Sequence, residues 1–141
     1  MRIIGIDLGE KRIGVAVSDE LGITAQGLPT ISSQTEKDNL QRLKELIEQH
    51  QVEKVVVGLP RNMNGTLGPK AQNAIKFAEK IKEYCHISVE MEDERLTTSS
   101  AERVLIAGNR SRKKRKKVID KMSAVIILQT FLDRAKFRKG M

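Results

Sequence analysis

At 141 residues, with 39% hydrophobic and 31% charged side chains, the chain is long enough to bury a core of its own. The lone cysteine, Cys85, excludes an internal disulfide; no apolar run approaches the ~18 residues of a membrane span, and Met1 leads directly into a strand pattern with no signal peptide, so a cytoplasmic, reducing setting is expected. The net charge of +8 is concentrated in one segment, "NRSRKKRKK", whose seven cations leave about +1 for the rest of the chain.

Residues 2–8 (RIIGIDL) and 12–18 (RIGVAVS) read as strands, and "GEK" between them is a short glycine-containing connection. A third strand is expected at 23–31, after the "DELG" turn, completing an antiparallel meander. The pattern then changes period. Leu40, Leu43 and Ile47 recur at helical spacing, with Ser33 and Glu36 at the spacing of a capping box. "EKVVVGL" is a strand covered on both faces, and "LPRNMNGTLG" is a loop. Pro69 suits the first position of a second helix carrying Ala74, Phe77, Ala78 and Ile81. "HISVEM" is the next strand, a helix near 98–107 stops at Gly108, and "VIDKMSAVIILQTFLDRAKF" is a long final helix. The order βββ-α-β-α-β-α-α predicts one α/β domain over 1–141. Its sheet is mixed and five-stranded, with an antiparallel meander followed by parallel strands and helices on both faces.

Three groups of acids stand out against this plan. Asp7 interrupts an apolar strand and shares a face with Ile3 and Gly5, where a lone carboxylate costs several kcal/mol unless paired or metal-bound. It either pairs with Lys11, Arg12 or turn amides, or it holds a metal. "EMEDERLTT" closes a strand with Glu92, Asp93 and Glu94, at the end of an α/β sheet where ligands gather. Strand alternation sets Asp93 on the face of Ile87, Val89 and Met91, and Glu94 on the other. A plain alternative is a solvated strand end whose threonines cap the next helix. Asp120 begins the apolar stripe of the last helix, followed by Ala124, Ile127, Leu128 and Phe131; it is either a helix cap or a ligand. Together these positions suggest a converging site for hard divalent cations, Mg²⁺ or Mn²⁺, which take oxygen ligands beside substrate phosphates.

The basic segment before Asp120 supplies Arg110, Arg112, Lys113, Lys114, Arg115, Lys116 and Lys117. Cations of this density suit a polyanion, because each one placed on a phosphate releases a condensed counterion. The run has no interleaved Trp, Phe or Leu to favour a membrane surface. Only 3% of residues are aromatic, so recognition by backbone shape fits better than base stacking.

"GIDLGEKRIGVAVSD", "VVGLPRNMNGTLG", "DERLTT" and "DKMSAVIILQTFLD" together resemble the YqgF/RuvX family of RNase H-like proteins, from about residue 2 to residue 133. The resemblance implies an RNase H-like fold and a metal-dependent nuclease with a two-metal site. Asp7, Glu94 and Asp120 would be the ligands; within "DERLTT" the resemblance favours Glu94, although alternation favoured Asp93. It also implies a role in maturing the 5′ end of pre-16S ribosomal RNA, with resolution of DNA Holliday junctions or a non-catalytic RNA-binding assembly role as alternatives. An actin-like phosphotransferase lobe, prompted by the D-x-G, is disfavoured by length. Contacts to nucleic acid are expected from Lys11, Arg12, Arg61, Asn62, Asn64, Thr66, Arg95 and Thr97 besides the basic segment. The expected partners are structured RNA, pre-rRNA or branched DNA, and ribosomal particles, with no membrane and a monomer or weak dimer.

Overall fold

Runs of isoleucine and valine place bulky branched side chains on alternate sides of extended backbone, and here they build the predicted sheet. A computed structural model describes residues 2–9, 11–32, 35–60, 64–93 and 122–135. Three strands, β1 (Arg2–Leu8), β2 (Ile13–Ser18) and β3 (Ala25–Ile31), form the antiparallel meander. Strands β4 (Val52–Leu59) and β5 (Ser88–Asp93) add in parallel, giving the order β3-β2-β1-β4-β5. The three inner strands β2, β1 and β4 are the most buried, and β3 and β5 form the two edges.

Helix α1 (Glu36–Gln49) and helix α2 (Pro69–Cys85) make the crossovers that parallel pairing requires. Pro69 stands at the start of α2 as expected. The start of α1 differs from expectation. Its cap is Thr35, whose hydroxyl accepts the Asp38 N–H at 3.2 Å, and Glu36 is already helical. Thr35 to Asp38 has the same three-residue spacing as Ser33 to Glu36, and the capping bond is made two residues later. The third strand begins two residues later than expected. Asp19 has turned the chain there, accepting the N–H groups of Ile23 at 2.7 Å and Thr24 at 3.2 Å. A last helix, α3, covers 122–135. The expected helix at 98–107 and the basic segment lie outside the described residues.

The core has two parts, one on each side of the sheet. Ile4, Ile6, Val15, Val55 and Val57 pack against Leu43, Ile47, Phe77 and Ile81 of α1 and α2. On the reverse side, Ile3, Ala16 and Val56 pack against Ala124, Ile127, Leu128 and Phe131 of α3. Gly5 permits the approach of α3: a Cβ there would lie 2.7 Å from the Leu128 Cβ and 3.2 Å from the Ala124 carbonyl oxygen. Three polar groups tie the α3 side together. The Gln129 amide accepts from the Ala25 N–H and donates to the Ile23 carbonyl. Arg134 pairs with the buried Glu92 of β5. The Ser18 hydroxyl accepts the Ile3 N–H at 2.8 Å, beside the register shift at the start of β1. Among the described residues no helix is long and apolar enough to cross a membrane.

Candidate active site and nucleic-acid interface

The site is built from register. Ile4, Ile6 and Leu8 of β1 pack toward α1 and α2, while Ile3 and Gly5 meet α3. Alternation therefore puts Asp7, half-buried, on the α3 side at the carboxyl end of β1. On β2 it pairs with Gly14. On β4 the register of Ile6 with Val57, extended one residue, brings it level with Gly58. Asp7 is thus flanked by a glycine on each neighbouring strand. No side chain rises beside its carboxylate from either one, so the sheet there is a glycine shelf. The sequence reading placed Gly5 on the face of Asp7 but missed Gly14 and Gly58. Cross-strand register would have found them, and the valine run before Gly58 was the available signal.

The acids of β5 divide between the two sides of the sheet. Val89 and Met91 pack toward α1 and α2, and Asp93 follows their alternation. Glu90 pairs with Val56 and Glu92 with Gly58, so these two share the α3 side with Asp7. The strand runs through Asp93, which pairs with Leu59; it does not end early enough to turn Asp93 toward Asp7. Glu92, which the sequence reading set aside, shares Asp7's row across Gly58. It is 3% exposed and is held by Arg134. Glu90 pairs with Lys54 at 3.2 Å. Glu94 and Asp120, the other expected ligands, lie outside the described residues. Among the described residues no three acidic, histidine or cysteine side chains gather as a metal site. The part of the expected set that is described has the chemistry of a hard-cation ligand: a carboxylate oxygen donor, half-buried, at a strand end between two glycines.

Four of the expected nucleic-acid contacts, Lys11, Arg12, Asn64 and Thr66, are described, and they lie in the loops that follow β1 and β4. Lys11, exposed, and Arg12, half-buried, follow β1 in the hairpin, which the Gly9 N–H closes by donating to the Arg12 carbonyl at 2.9 Å. Asn64 and Thr66 follow β4. There the Asn64 Oδ1 accepts from both the N–H and the hydroxyl of Thr66, at 3.1 and 2.6 Å, around Gly65 with φ +85°. Those groups shape the turn itself, as the plainer reading of an Asn-Gly loop has it. Arg61, Asn62, Arg95, Thr97 and Arg110 through Lys117 lie outside the described residues. His50 and His86 cap the C-termini of α1 and α2. Cys85 is half-buried at the core's edge, and burial pushes its thiol pKa up.

Residues 1–134 match a family model described as RuvX: Holliday junction resolvase. A Bacillus cereus protein named "Putative pre-16S rRNA nuclease" is 56% identical over 136 residues, spanning 95% of this chain and 99% of that protein. A Bacillus thuringiensis protein of the same name is 56% identical over 135 residues, with 94% of this chain and 98% of that one covered. Among solved structures, Thermus thermophilus RuvC in complex with a Holliday junction substrate superposes with TM-score 0.58 at 16% identity, covering 98% of this chain and 96% of that one. The fowlpox virus Holliday junction resolvase gives 0.57 at 13% identity, covering 95% and 99%. These structural likenesses are likenesses of fold, and they agree with the RNase H-like α/β plan read from the sequence. With matched family motifs across both the meander and α3, and near-complete coverage by its relatives, the chain belongs to the RuvX family.

Proposed function

We propose that the protein is a metal-dependent nuclease that cleaves structured RNA, and that its substrate is the 5′ region of pre-16S ribosomal RNA. The observation that carries the reading is Asp7. Its carboxylate stands at the carboxyl end of a central strand between Gly14 and Gly58, on the side covered by the C-terminal helix. Asp7, Glu94 and Asp120 are the residues proposed to hold divalent ions. Such ions, when bound, supply Lewis-acid activation of the attacking water and neutralise charge on the leaving oxygen. The chain's own cations do the positioning. Arg95 orients a phosphate next to the scissile bond, Lys11 and Arg12 in the hairpin hold the strand as it leaves the site, and the basic segment 110–117 holds the flanking backbone. The alternation of β5 favours Glu94 over Asp93, because Asp93 lies on the opposite side of the sheet from Asp7. The names of the Bacillus relatives support the RNA substrate, and a cytoplasmic location beside ribosomal particles follows from it.

The deciding experiment offers the purified protein a pre-16S 5′ fragment and a synthetic four-way DNA junction, with Mg²⁺, with Mn²⁺ and with chelator. Cleavage of the RNA that requires the ion, and that falls by about 100-fold or more in Asp7→Asn, is expected, since several kcal/mol of transition-state stabilisation is removed. RNA cleavage that is unchanged in Asp7→Asn sinks the assignment. A second reading, a DNA junction resolvase, is favoured by the family model's description. It predicts paired cuts in the junction and a stable dimer by gel filtration.

A further inference from the structure

We propose that a pocket on the α1/α2 side of the sheet holds a phosphoribose unit of the RNA strand, away from the bond that is cut. The inference rests on the RNA-nuclease reading above. The pocket lies between the β1–β2 hairpin and the facing surfaces of α1 and α2, and its volume is about 290 Å³. That is room for a phosphate and its sugar, at the small end of ligand sites. It is separate from the Asp7 shelf. Leu8, Ile13 and Phe77 form its apolar floor, and Leu8 points to the opposite side of the sheet from Asp7.

The walls carry a defined chemistry. Lys11 and Arg12 come from the hairpin, and Lys76 and Lys80 stand one helical turn apart on α2. The one carboxylate among the described lining residues, Glu36, is held by the Lys80 Nζ at 2.7 Å. Among the described lining residues four cations stand against one acid, a balance that suits an anion. Among them stands Asn39, whose Oδ1 is buried and has no hydrogen-bond partner among the described residues. An amide oxygen needs a donor, and the oxygens of a phosphodiester are acceptors only. A ligand that carries both a phosphodiester and a hydroxyl satisfies both demands: its phosphate meets the lysines and its 2′-hydroxyl donates to Asn39. That pairing is present in RNA and absent from DNA. The sugar's carbon edge then rests on the floor. A strand whose scissile phosphate lies at Asp7 reaches this pocket by passing over the hairpin, because Leu8 directly follows Asp7 in β1 and faces the other way.

The test uses the full chain, isotopically labelled, titrated separately with a short RNA, the DNA of the same sequence, and inorganic phosphate. Amide resonances of Asn39, Asn73 and Lys76 are expected to shift with RNA. By fluorescence anisotropy, Lys76→Gln should weaken RNA binding several-fold and lower the slope of log affinity against log salt by about 0.7, one phosphate contact on a single strand. Lys76 is exposed, so this variant leaves the core intact. Asn39→Ala should narrow the preference for RNA over DNA. RNA that moves none of these amides, or a Lys76→Gln protein with the parent's affinity and slope, overturns the subsite. Inorganic phosphate that moves them while RNA does not also overturns it, leaving a free-anion site. An Asn39→Ala protein that keeps the parent's preference, or a parent that binds RNA and DNA alike, overturns the hydroxyl contact. Cleavage of the pre-16S fragment is scored in parallel. A chain that fills the pocket and cuts nothing sinks the nuclease reading alone, and one that cuts with the pocket untouched sinks the subsite alone.

Discussion

Gly5 sets how near the C-terminal helix can come to the strand that carries Asp7. A methyl group there meets the Leu128 Cβ at 2.7 Å and the Ala124 carbonyl at 3.2 Å. Neither is the loose end of a side chain, so the helix itself must move. Gly5→Ala is therefore expected to destabilise the protein by about 1–3 kcal/mol, measured by chemical denaturation. It should also reduce cleavage beyond what the lost stability explains, since Asp7 is two residues away on the same side. Asp7 itself was legible in the sequence, because a carboxylate inside an apolar strand is costly and demands a reason. Its glycine neighbours were not. Gly14 and Gly58 are ordinary in their own segments and gain meaning only when the register puts them on either side of Asp7. Glu92 was hidden for the same reason: its partner, Arg134, is 42 residues away in the chain.

At the scale of elements, strands and helices followed from periodicity, and the differences lie at their ends. Two acids at the close of β5 have low strand propensity, yet Glu92 and Asp93 pair with Gly58 and Leu59 because the parallel ladder beside them continues. Local sequence does not contain that ladder. The turn into β3 is set by Asp19. The Ile23 N–H, with those of Thr24 and Gly22, holds its carboxyl below the ordinary value of 3.8, against a smaller opposing effect of desolvation. The sign follows from linkage. A carboxyl with a lowered pKa in the folded state contributes stability above its unfolded value, and that contribution is lost as the pH falls through the folded value. Asp19→Asn should accordingly be less stable than the parent at neutral pH, and the difference should close in acid. Denaturation curves collected across that pH range check this; a gap that is constant down to the most acidic samples would show that the carboxylate does not hold the turn.

At the scale of the whole molecule, the sheet separates two kinds of surface. One side carries α3 and the Asp7 shelf; the other carries α1, α2 and the cationic pocket. The charge asymmetry was plain in the sequence, with seven of the cations in one segment. Replacing Lys113, Lys114, Arg115 and Lys116 by neutral residues should flatten the salt dependence of binding by about 0.9 per lost phosphate contact on duplex DNA and about 0.7 on single strands. A slope equal to the parent's would mean that the segment stays off the nucleic acid. What the sequence did not disclose is the pocket on the other side. Lys11 and Arg12 stood out in the sequence, but Lys76 and Lys80 of α2, which complete it, each read alone as a solvated surface residue.

The division of the core has a consequence for how the protein is made. The side of the sheet formed by Ile3, Ala16 and Val56 is covered by residues 124–132, which follow every strand of the sheet in the chain. The meander, β4, α1 and α2 can close around their own hydrophobic cluster while synthesis continues. A chain in which residues 124–132 have yet to dock therefore carries Asp7 on an unfinished surface.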